Sequence, residues 1–274
     1  MSAVQPLIEI LIIGNEILLG DVQDTNTYWL CRQVAGRGGR VQRVTVIGDD
    51  PNVIAAEVRA ARDRRPNAVF TSGGLGPTDD DLTLAAVAAG LGLPYVENAE
   101  AVALVAQRYA ELARQGYVAS ADLTPERRKM ARMPQGAIPL PNRVGAAPGV
   151  WLKLPETTFI CLPGVPAELK DIFTNALTPF LLELFGERDF ASATVFTDCG
   201  DESVLAPVLR AVVAAHPEVY IKSRATHFGA DVKLRVTLSV SGAPGQARPA
   251  LEAALAHLQE ALARAGVGVT GVER

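Results

Sequence analysis

The sequence predicts an α/β protein: a mostly parallel sheet flanked by helices, followed by a small α+β domain. Short apolar runs alternate with helical segments over the first half of the 274-residue chain, which is the pattern of an open parallel sheet. A glycine-rich loop directly follows one of these runs, as in sheets that bind ligands. After about residue 187, further strands and helices have apolar faces of their own. We therefore expect domains at residues 1–187 and 188–274.

Three strands and three helices are predicted in alternation before residue 90. The apolar run LIEILIIG forms the first strand at residues 7–14, and residues 41–47 alternate and are β-branched, as in a second strand. Residues 68–71 form the third strand. Asp50 and Pro51 are typical of an N-cap and a first helical position. The three helices are expected at residues 25–35, 50–64 and 80–89.

The remaining elements follow the same patterns of apolar periodicity. In the first domain we expect helices at residues 99–115, at 124–133 and from Pro166 to about 185. The segments LPNRVGAAPGVWLKL and TTFICLPGVPAELKDIF each add a strand and a turn. In the second domain we expect strands at 193–198, 218–223 and 231–241, and helices at 202–215 and 245–265.

Composition excludes several classes of protein. The formal net charge of −4 gives no help to non-specific nucleic-acid binding, so no nucleic-acid partner is expected. Cys31, Cys161 and Cys199 are far apart and odd in number, which argues against a disulfide framework and favours a cytoplasmic location. Glu9 and Glu16 interrupt the N-terminal apolar run, which argues against a secretory signal. No run of about 18 apolar residues is present, so no membrane span is expected.

The loop TSGGLGPTDDDLT, at residues 71–83, follows the third predicted strand. Gly73, Gly74 and Gly76 let the backbone approach a ligand closely, and their N–H groups can form a nest for an anion. A helix expected to begin at residues 79–81 adds the positive end of its dipole. The loop matches neither a Walker loop nor GxGxxG. It suits phosphate.

Three consecutive aspartates beside a phosphate site need a compensating charge. Asp79 and Asp80 have two interpretations, either capping of the following helix or a functional role. For Asp81 we favour function, because a divalent cation would relieve the repulsion and bridge its carboxylate to phosphate oxygens. Four other carboxylates are expected near the same edge of the sheet, and each alone is typical of a cap or a solvated residue. They are Glu16, Asp24, Asp49 and Asp50. Together with the glycine loop they indicate a metal–phosphate site.

Other segments are less informative. NRVGAAPG and LPGVPAEL are either ordinary tight turns or sources of further free N–H groups. Arg127, Arg128 and Arg143 could neutralise phosphates, although a surface role is the default for arginine. No Ser-His-Asp set is evident, so covalent hydrolysis is disfavoured. The cysteines are expected in the core. The scattered histidines, for which no catalytic role is expected, are His216, His227 and His257.

Five segments resemble, in their order and spacing, the competence/damage-inducible protein A (CinA) family of the MoaB/Mog-like molybdopterin-binding superfamily. They are GNEILLGDVQDTN, VIGDD, SGGLGPTDDDLT, PNRVGAAPG and LPGVPAE. The likeness covers about residues 7–185, and the first segment also resembles the molybdopterin-binding-like domain of eukaryotic FAD synthases. The small domain resembles the KH-like second domain of the family. Its basic segment IKSRATHFGADVKLRV lacks the GXXG loop between helices that RNA binding needs, so a packing or dimer role is expected.

The resemblance implies a three-layer α/β/α fold and metal-dependent pyrophosphatase activity on ADP-ribose-type dinucleotides. It implies a divalent metal (Mg, Mn or Co) held by Asp81 and Asp49, which with Glu16 are the candidate catalytic residues. The expected partners are a nucleotide or pterin phosphate and further copies of the chain, as a dimer or trimer. The candidate substrate- and phosphate-binding residues are Gly14, Asn26, Ser72, Gly73, Gly74, Leu75, Gly76, Pro77, Thr78, Thr83, Asn142, Gly145, Pro163 and Gly164.

Three positions depart from the family pattern. Arg127 stands where Asn is common after TP, and Arg143 and Ala146 replace a Pro and a Thr of NPVGTAPG. Family members often carry a further C-terminal domain with nicotinamide mononucleotide deamidase activity, which is not expected in a chain that ends at Arg274. Three hypotheses follow: a pyrophosphatase, a non-catalytic pterin- or nucleotide-binding protein linked to molybdenum cofactor biosynthesis, and an oligomeric regulatory scaffold.

Overall fold

The computed structural model describes residues 5–225 and 233–274, which form two compact units. The larger unit comprises Pro6–Val34 and Arg40–Gly186, and the smaller one comprises Glu187–Arg274 with Ala35–Gly39. In the described residues, no helix is long and apolar enough to cross a membrane. The cytoplasmic location stays a prediction.

A six-stranded sheet forms the centre of the larger unit. The strands of this unit are β1 (Leu7–Ile13), β2 (Arg40–Ile47), β3 (Ala68–Ser72), β4 (Tyr95–Glu97), β5 (Arg132–Pro134), β6 (Ile138–Leu140), β7 (Gly149–Lys153) and β8 (Thr158–Leu162). The sheet has the order β2-β1-β3-β8-β7-β6, while β4 and β5 pair separately. Strands β2, β1, β3 and β8 are parallel to one another, whereas β7 pairs antiparallel with both of its neighbours, β8 and β6. The carboxyl ends of the four parallel strands therefore lie at one edge.

Helices cover both faces of this sheet. They are α1 (Asn15–Leu18), α2 (Asn26–Ala35), α3 (Pro51–Asp63), α4 (Thr83–Leu91), α5 (Ala99–Arg114), α6 (Pro125–Lys129), α7 (Pro166–Asp171) and α8 (Thr178–Phe185). Neighbouring residues of β3 point to opposite faces and into separate apolar clusters: Val69 packs with Val87 of α4, and Phe70 with Leu30 of α2. The predicted three-layer α/β/α class is confirmed.

Strand β1 is buried on both faces, which explains why its sequence is a nearly continuous apolar run. The exception is Glu9, which is 3% exposed. Its carboxylate accepts hydrogen bonds from Arg64 at 2.7 Å and from Gln42 at 3.0 Å. A buried charge is tolerated here because it is paired.

Two predicted helices of the larger unit were wrong in extent. The helix predicted at residues 124–133 ends at Lys129, because Arg132–Pro134 pairs with β4 as strand β5. The helix predicted from Pro166 to about residue 185 is interrupted by a π-helical turn at Ile172–Ala176. Pro179 lacks an N–H and cannot continue a helical hydrogen-bond ladder from the preceding turns.

In its described residues, the smaller unit is a four-stranded antiparallel sheet with two helices, which confirms the predicted α+β domain. Its elements are β9 (Asp189–Thr197), α9 (Glu202–Ala215), β10 (Tyr220–Ala225), β11 (Leu234–Gly242), α10 (Ala247–Arg264) and β12 (Val269–Glu273). The strand order is β10-β11-β9-β12. Its elements follow the order β-α-β-β-α-β of a split βαβ unit, in which two strands separate the helices. The resemblance to a KH-like domain stays a prediction.

Both helices of the smaller unit pack on one face of its sheet. A single apolar core contains Val195, Val236 and Leu238 of the sheet together with Leu205 of α9 and Leu255 of α10. Strand β12 was not predicted. The first two residues of the strand predicted at 231–241, and His227, lie outside the described residues.

Candidate functional site

A cleft of about 430 Å³ lies at the edge of the large sheet where its parallel strands end. The loops that follow β1, β2, β3 and β8 all contribute to it, so the loops predicted to share one edge do meet there. Its lining includes Gly14, Asp49, Gly74, Asp81 and Gly164. Glycine backbone and carboxylates therefore face the same space.

The glycine loop approaches the neighbouring strand too closely for a side chain. Gly73 has φ +114°, and a Cβ at this position would overlap the carbonyl oxygen of Ile13. Gly74 also has a positive φ, +68°. Glycine is needed at both positions, because other residues are strained in this region.

One of the amides predicted to form a phosphate nest, that of Gly73, is already hydrogen-bonded within the protein. The Gly73 N–H donates to the Leu162 carbonyl at 3.0 Å and is not available to a ligand. Within residues 5–225 and 233–274, the amides of Gly74, Leu75 and Gly76 make no hydrogen bond. Leu75 anchors this turn through its buried side chain. Three consecutive amides thus remain for an anion.

The prediction that a helix begins at residues 79–81 was wrong, because α4 begins at Thr83 after a Leu82 cap that makes no side-chain hydrogen bond. The capping interpretation of Asp79 and Asp80 was wrong for the same reason. Instead, Asp81 Oδ2 accepts hydrogen bonds from the Thr78 amide at 2.9 Å and hydroxyl at 2.6 Å. Aspartates readily form such local turns, which compete with helix.

The first amide of α4 is also occupied, since Thr83 N–H donates to the Gly74 carbonyl at 3.2 Å. The N-terminus of α4 therefore has fewer free amides for binding a phosphate than the sequence predicted. The single proton of the Thr78 hydroxyl is shared between Asp81 Oδ2 and Asp80 Oδ1, and its hydrogen bond to Asp80 lowers the pKa of that carboxyl. Lys129 Nζ donates to the Thr78 carbonyl. The loop is thus held by its own side chains and by one lysine.

Asp49 and Glu16 reach the cleft from the loops after β2 and β1. Asn15 N–H donates to Asp49 Oδ2 at 2.8 Å, and the Asp49 amide donates to Asn15 Oδ1 at 3.3 Å. The Glu16 carboxylate lies over Gly14, where a Cβ would stand 2.6 Å from Glu16 Oε1. The short helix α1, which was not predicted, positions both groups.

Asp24 and Asp50 have the structural role that was their alternative interpretation. Asp50 accepts hydrogen bonds from the Asn52 and Val53 amides as the N-cap of α3. Asp24 accepts from the Thr27 amide at 2.9 Å, in the first turn of α2. Neither lines the main cleft, although Asp24 borders an adjoining pocket of about 50 Å³.

Several predicted phosphate-binding residues lie beneath the cleft. Asn26 Nδ2 donates to Ser72 Oγ at 3.0 Å and to the Gly164 carbonyl at 2.7 Å, and Ser72 Oγ donates to the Pro163 carbonyl at 3.1 Å. Thr83 Oγ1 donates to the Gly73 carbonyl at 2.8 Å. These buried side chains join the loops after β3 and β8. The predicted residues that line the cleft are Gly14, Gly73, Gly74, Leu75, Gly76, Pro163 and Gly164; those that do not are Asn26, Ser72, Pro77, Thr78, Thr83, Asn142 and Gly145.

Glu168, on α7, is a cleft residue that the sequence analysis missed. Burial raises its pKa, while the hydrogen bond from Asn142 Nδ2, at 2.6 Å, and the charge of Arg108 act in the opposite direction. A Cβ at Gly145 would overlap the Glu168 carboxylate. The motif LPGVPAEL includes this glutamate, but the sequence does not show that it lies beside Asn142 in the folded chain.

The loop around Asn142 is built to hold that carboxylate. Asn142 Oδ1 accepts hydrogen bonds from the Val144 and Gly145 amides at 3.1 and 2.8 Å. Arg108 of α5 donates to the carbonyls of the same two residues. A perturbed carboxylate fixed at a cleft is a candidate for proton transfer.

The three arginines considered for phosphate binding are paired elsewhere. Arg128 forms an ion pair with Glu97 at 2.8 Å, and Arg143 with Asp171 at 2.7 Å. Arg127 donates to two carbonyls of the preceding loop. In the part of the chain that the structure describes, no Lys, Arg or His side chain lines the cleft.

The donor set of the cleft suits a cation shared with a ligand. Among the described residues, no three His, Cys, Asp or Glu side chains are grouped as a metal cage. Asp49 and Asp81 each use only Oδ2 in the hydrogen bonds described above, which leaves Oδ1. Mg²⁺ commonly binds through one or two carboxylates together with substrate phosphates and water. Asp49 and Asp81 fit this kind of binding.

Among the described residues, no cysteine or histidine lines the cleft. Burial raises the pKa of Cys161 to about 11, which leaves it an inert core thiol. Burial, and then the charge of Asp24, raise the pKa of Cys31. His216 and His257 contact each other in the smaller unit, with ring centroids 5.4 Å apart.

Comparisons with known proteins agree with this fold. Residues 9–183 match the family model described as a probable molybdopterin binding domain. The chain is 37% identical over 257 residues to a Pyrobaculum calidifontis protein, covering 93% of this chain and 95% of that one. It is 35% identical over 253 residues to a Thermococcus kodakarensis protein, covering 92% and 99%. The crystal structure of the protein CinA, of unknown function, from Thermoplasma acidophilum is similar with a TM-score of 0.58 and 33% identity, covering 65% of this chain and 98% of that one.

Proposed function

The chain belongs to the CinA family of MoaB/Mog-like proteins, whose common part is the probable molybdopterin binding domain, and on this premise we propose that it is a metal-dependent pyrophosphatase. Its proposed substrate is ADP-ribose or a related dinucleotide. The proposal rests on one observation: as far as the structure describes the chain, three unengaged amides, at residues 74–76, share a cleft with carboxylates and with no cationic side chain. Such a cleft can hold a phosphoanhydride only together with a cation.

The amides and the carboxylates have separate roles in this proposal. The amides of Gly74, Leu75 and Gly76 donate hydrogen bonds to phosphate oxygens and orient the anhydride. The carboxylates repel a bare pyrophosphate, which makes binding dependent on a divalent cation. Held by Asp49 and Asp81, the cation would neutralise charge that develops on the phosphate oxygens.

Glu168 is the proposed acceptor of the proton from water. Water oxygen attacks one phosphorus of the anhydride, and the bond from that phosphorus to the bridging oxygen breaks. ADP-ribose then yields AMP and ribose 5-phosphate, and the proton lost by water passes through Glu168 to solvent. A raised pKa makes Glu168 a better base than an ordinary carboxylate.

The direct test is hydrolysis of ADP-ribose by the purified protein with Mg²⁺, Mn²⁺ or Co²⁺, followed by release of AMP. Asp81→Asn should lower kcat/KM by about 100-fold, because it removes a charge at the reacting phosphates. Asp79→Asn is the matched control: it makes the same change two residues away, at a side chain outside the cleft lining, and should remain within about twofold of wild type. Absence of AMP with every metal would refute the proposal.

A second candidate is a protein that binds a pterin phosphate or nucleotide without turnover. The lack of a three-carboxylate group among the described residues favours it, since catalytic metal sites often have more protein ligands. Calorimetry with ADP-ribose, AMP and a pterin phosphate separates the two. Ligand binding that depends on the amides of residues 74–76 but is followed by no release of product would favour the second candidate.

A further inference from the structure

The sheet of the smaller unit has one face that its helices leave uncovered. Residues alternate along β9, β10 and β11, and those that point away from α9 and α10 are all exposed or half-exposed. We call this surface the open sheet face. It consists of Phe190, Ser192, Thr194, Phe196, Tyr220, Lys222, Arg224, Arg235, Thr237, Ser239, Ser241 and Glu273. At one end of this face, Ser241 Oγ accepts a hydrogen bond from Gln5 Nε2 at 3.4 Å.

Strand register places like charges opposite each other on this face. Arg224 of β10 is the direct partner of Arg235 of β11, and Lys222 is one pair further along. Directly opposed like charges destabilise a sheet. In the described part of the chain, no carboxylate forms an ion pair with any of these three side chains. Within residues 5–225 and 233–274, no ion pair compensates this repulsion, whereas a bound polyanion would.

Aromatic rings lie beside these cations. Arg235 is also the cross-strand partner of Phe196 on β9, so the row Arg224–Arg235–Phe196 runs across three strands. Tyr220, on the edge strand with Lys222, is 57% exposed. Phosphates and bases alternate along a nucleic acid strand, and the face presents cations and rings within the same rows.

From this register we propose that the open sheet face binds single-stranded nucleic acid, with Arg224, Arg235 and Lys222 on phosphates and Phe196 stacked on a base. Single strands fit better than a duplex, because unstacked bases are free to lie on aromatic side chains. A split βαβ sheet is the type of platform on which RNA-recognition modules stack bases. The net charge of −4 does not exclude this binding, because the acidic residues that offset these cations lie elsewhere in the chain.

The test measures fluorescence anisotropy of labelled 12-nucleotide single strands, both RNA and DNA, with the full-length protein at low salt. We expect binding that weakens with salt, with a slope of log K against log salt of about −2 for three phosphate contacts. Arg224→Ala/Arg235→Ala should weaken binding about 10-fold. Phe196→Leu, which keeps apolar bulk but removes the ring, should weaken it about 5-fold or more.

Arg210→Ala supplies the matched control, because Arg210 is an exposed arginine on α9, which packs on the other face. It should bind like wild type, and circular dichroism should show that all variants fold. No binding at low salt, equal loss in Arg210→Ala, or binding unaffected by Phe196→Leu would each overturn the proposal. A dimer that forms through this face and is disrupted by Arg224→Ala/Arg235→Ala without any oligonucleotide binding would also overturn it.

Discussion

At the residue scale, Gly73 combines a positive φ with contact between two backbone segments. Gly73→Ala should destabilise the fold by about 3 kcal/mol or more, because the new methyl group would overlap the Ile13 carbonyl and the backbone would be strained. Urea denaturation measures this. Gly92 is the control: its φ is +70° with nothing within 4 Å of a Cβ, so Gly92→Ala should cost only about 1 kcal/mol. Equal losses at both sites would contradict the close approach.

Glu168 provides a second test at this scale. Burial raises the pKa of Glu168 in the folded state. Below the unfolded pKa of about 4.3, Glu168 is protonated in both states and the fold keeps its full stability. As pH rises through the folded pKa, the buried carboxyl becomes charged and that stability is lost. Gln cannot lose a proton. Glu168→Gln should therefore have a higher Tm than wild type at pH 7, and the difference should disappear towards pH 4.

The same variant should lose hydrolysis of ADP-ribose at pH 7, where Glu168 accepts a proton in the proposed reaction. Thermal melts and rates at several pH values check both expectations. A variant that is less stable but fully active at pH 7 would make Glu168 a structural residue only. Stability gained together with activity lost is characteristic of a functional side chain.

Individual residues were predictable where their partners are near in sequence. Asp50 caps α3 through amides two and three residues away, and its pattern with Pro51 indicated this role. Glu168 depends on Asn142 and Arg108, which lie 26 and 60 positions away, and no local pattern indicates such contacts. Asp79–Asp81 had a local pattern, but the Thr78 turn prevailed over capping.

At the element scale, strand β1 depends on the pair between buried Glu9 and Arg64, which follows α3. Arg64→Ala should destabilise the protein by about 3 kcal/mol, since it leaves a buried charge without its cation. Adding Glu9→Gln should recover most of the loss. The control is Arg62→Ala, which removes an exposed pair with Asp63 and should cost less than about 1 kcal/mol. Urea midpoints of the four proteins give the comparison, and a double variant as unstable as Arg64→Ala would contradict it.

Long periodic elements were predictable, and short ones were not. The apolar run of β1 and the alternation of β2 give strong signals. Strands β4, β5 and β6 have three residues each, and their pairing is decided by tertiary contacts that sequence periodicity does not contain. Apolar periodicity likewise does not indicate the π-helical turn at Ile172–Ala176, although Pro179 marks the start of a new helix, α8.

At the scale of the whole molecule, each unit has its own apolar core. A fragment of residues 1–187 should therefore fold cooperatively, hydrolyse ADP-ribose as the full chain does, and lose binding of single-stranded oligonucleotides. Circular dichroism, AMP release and anisotropy test the three parts. A fragment that folds but is inactive would place part of the reaction in the smaller unit.

The predicted dimer or trimer stays a prediction, which the mass in solution of the full chain and of the fragment will test. The alternation of strands and helices, together with the five motif segments, was sufficient to predict the architecture of the larger unit and the edge at which its loops meet. The chemistry of that edge needed the hydrogen bonds, because only they distinguish the amides of residues 74–76 from the occupied amide of Gly73.

Five of the residues that line the cleft are glycines, at positions 14, 73, 74, 76 and 164, and they can contact a ligand only through main-chain atoms. Alanine substitution leaves every peptide N–H in place, so it cannot remove the amide donors; at Gly74 and Gly76 it instead adds a methyl group close to Thr83 Oγ1 and Asp81 Oδ2. Replacing the Leu75 or Gly76 amide by an ester through chemical synthesis would delete the donor alone. Substrate affinity lost by such an ester, in a protein that still folds, would show that the main chain itself recognises the phosphate.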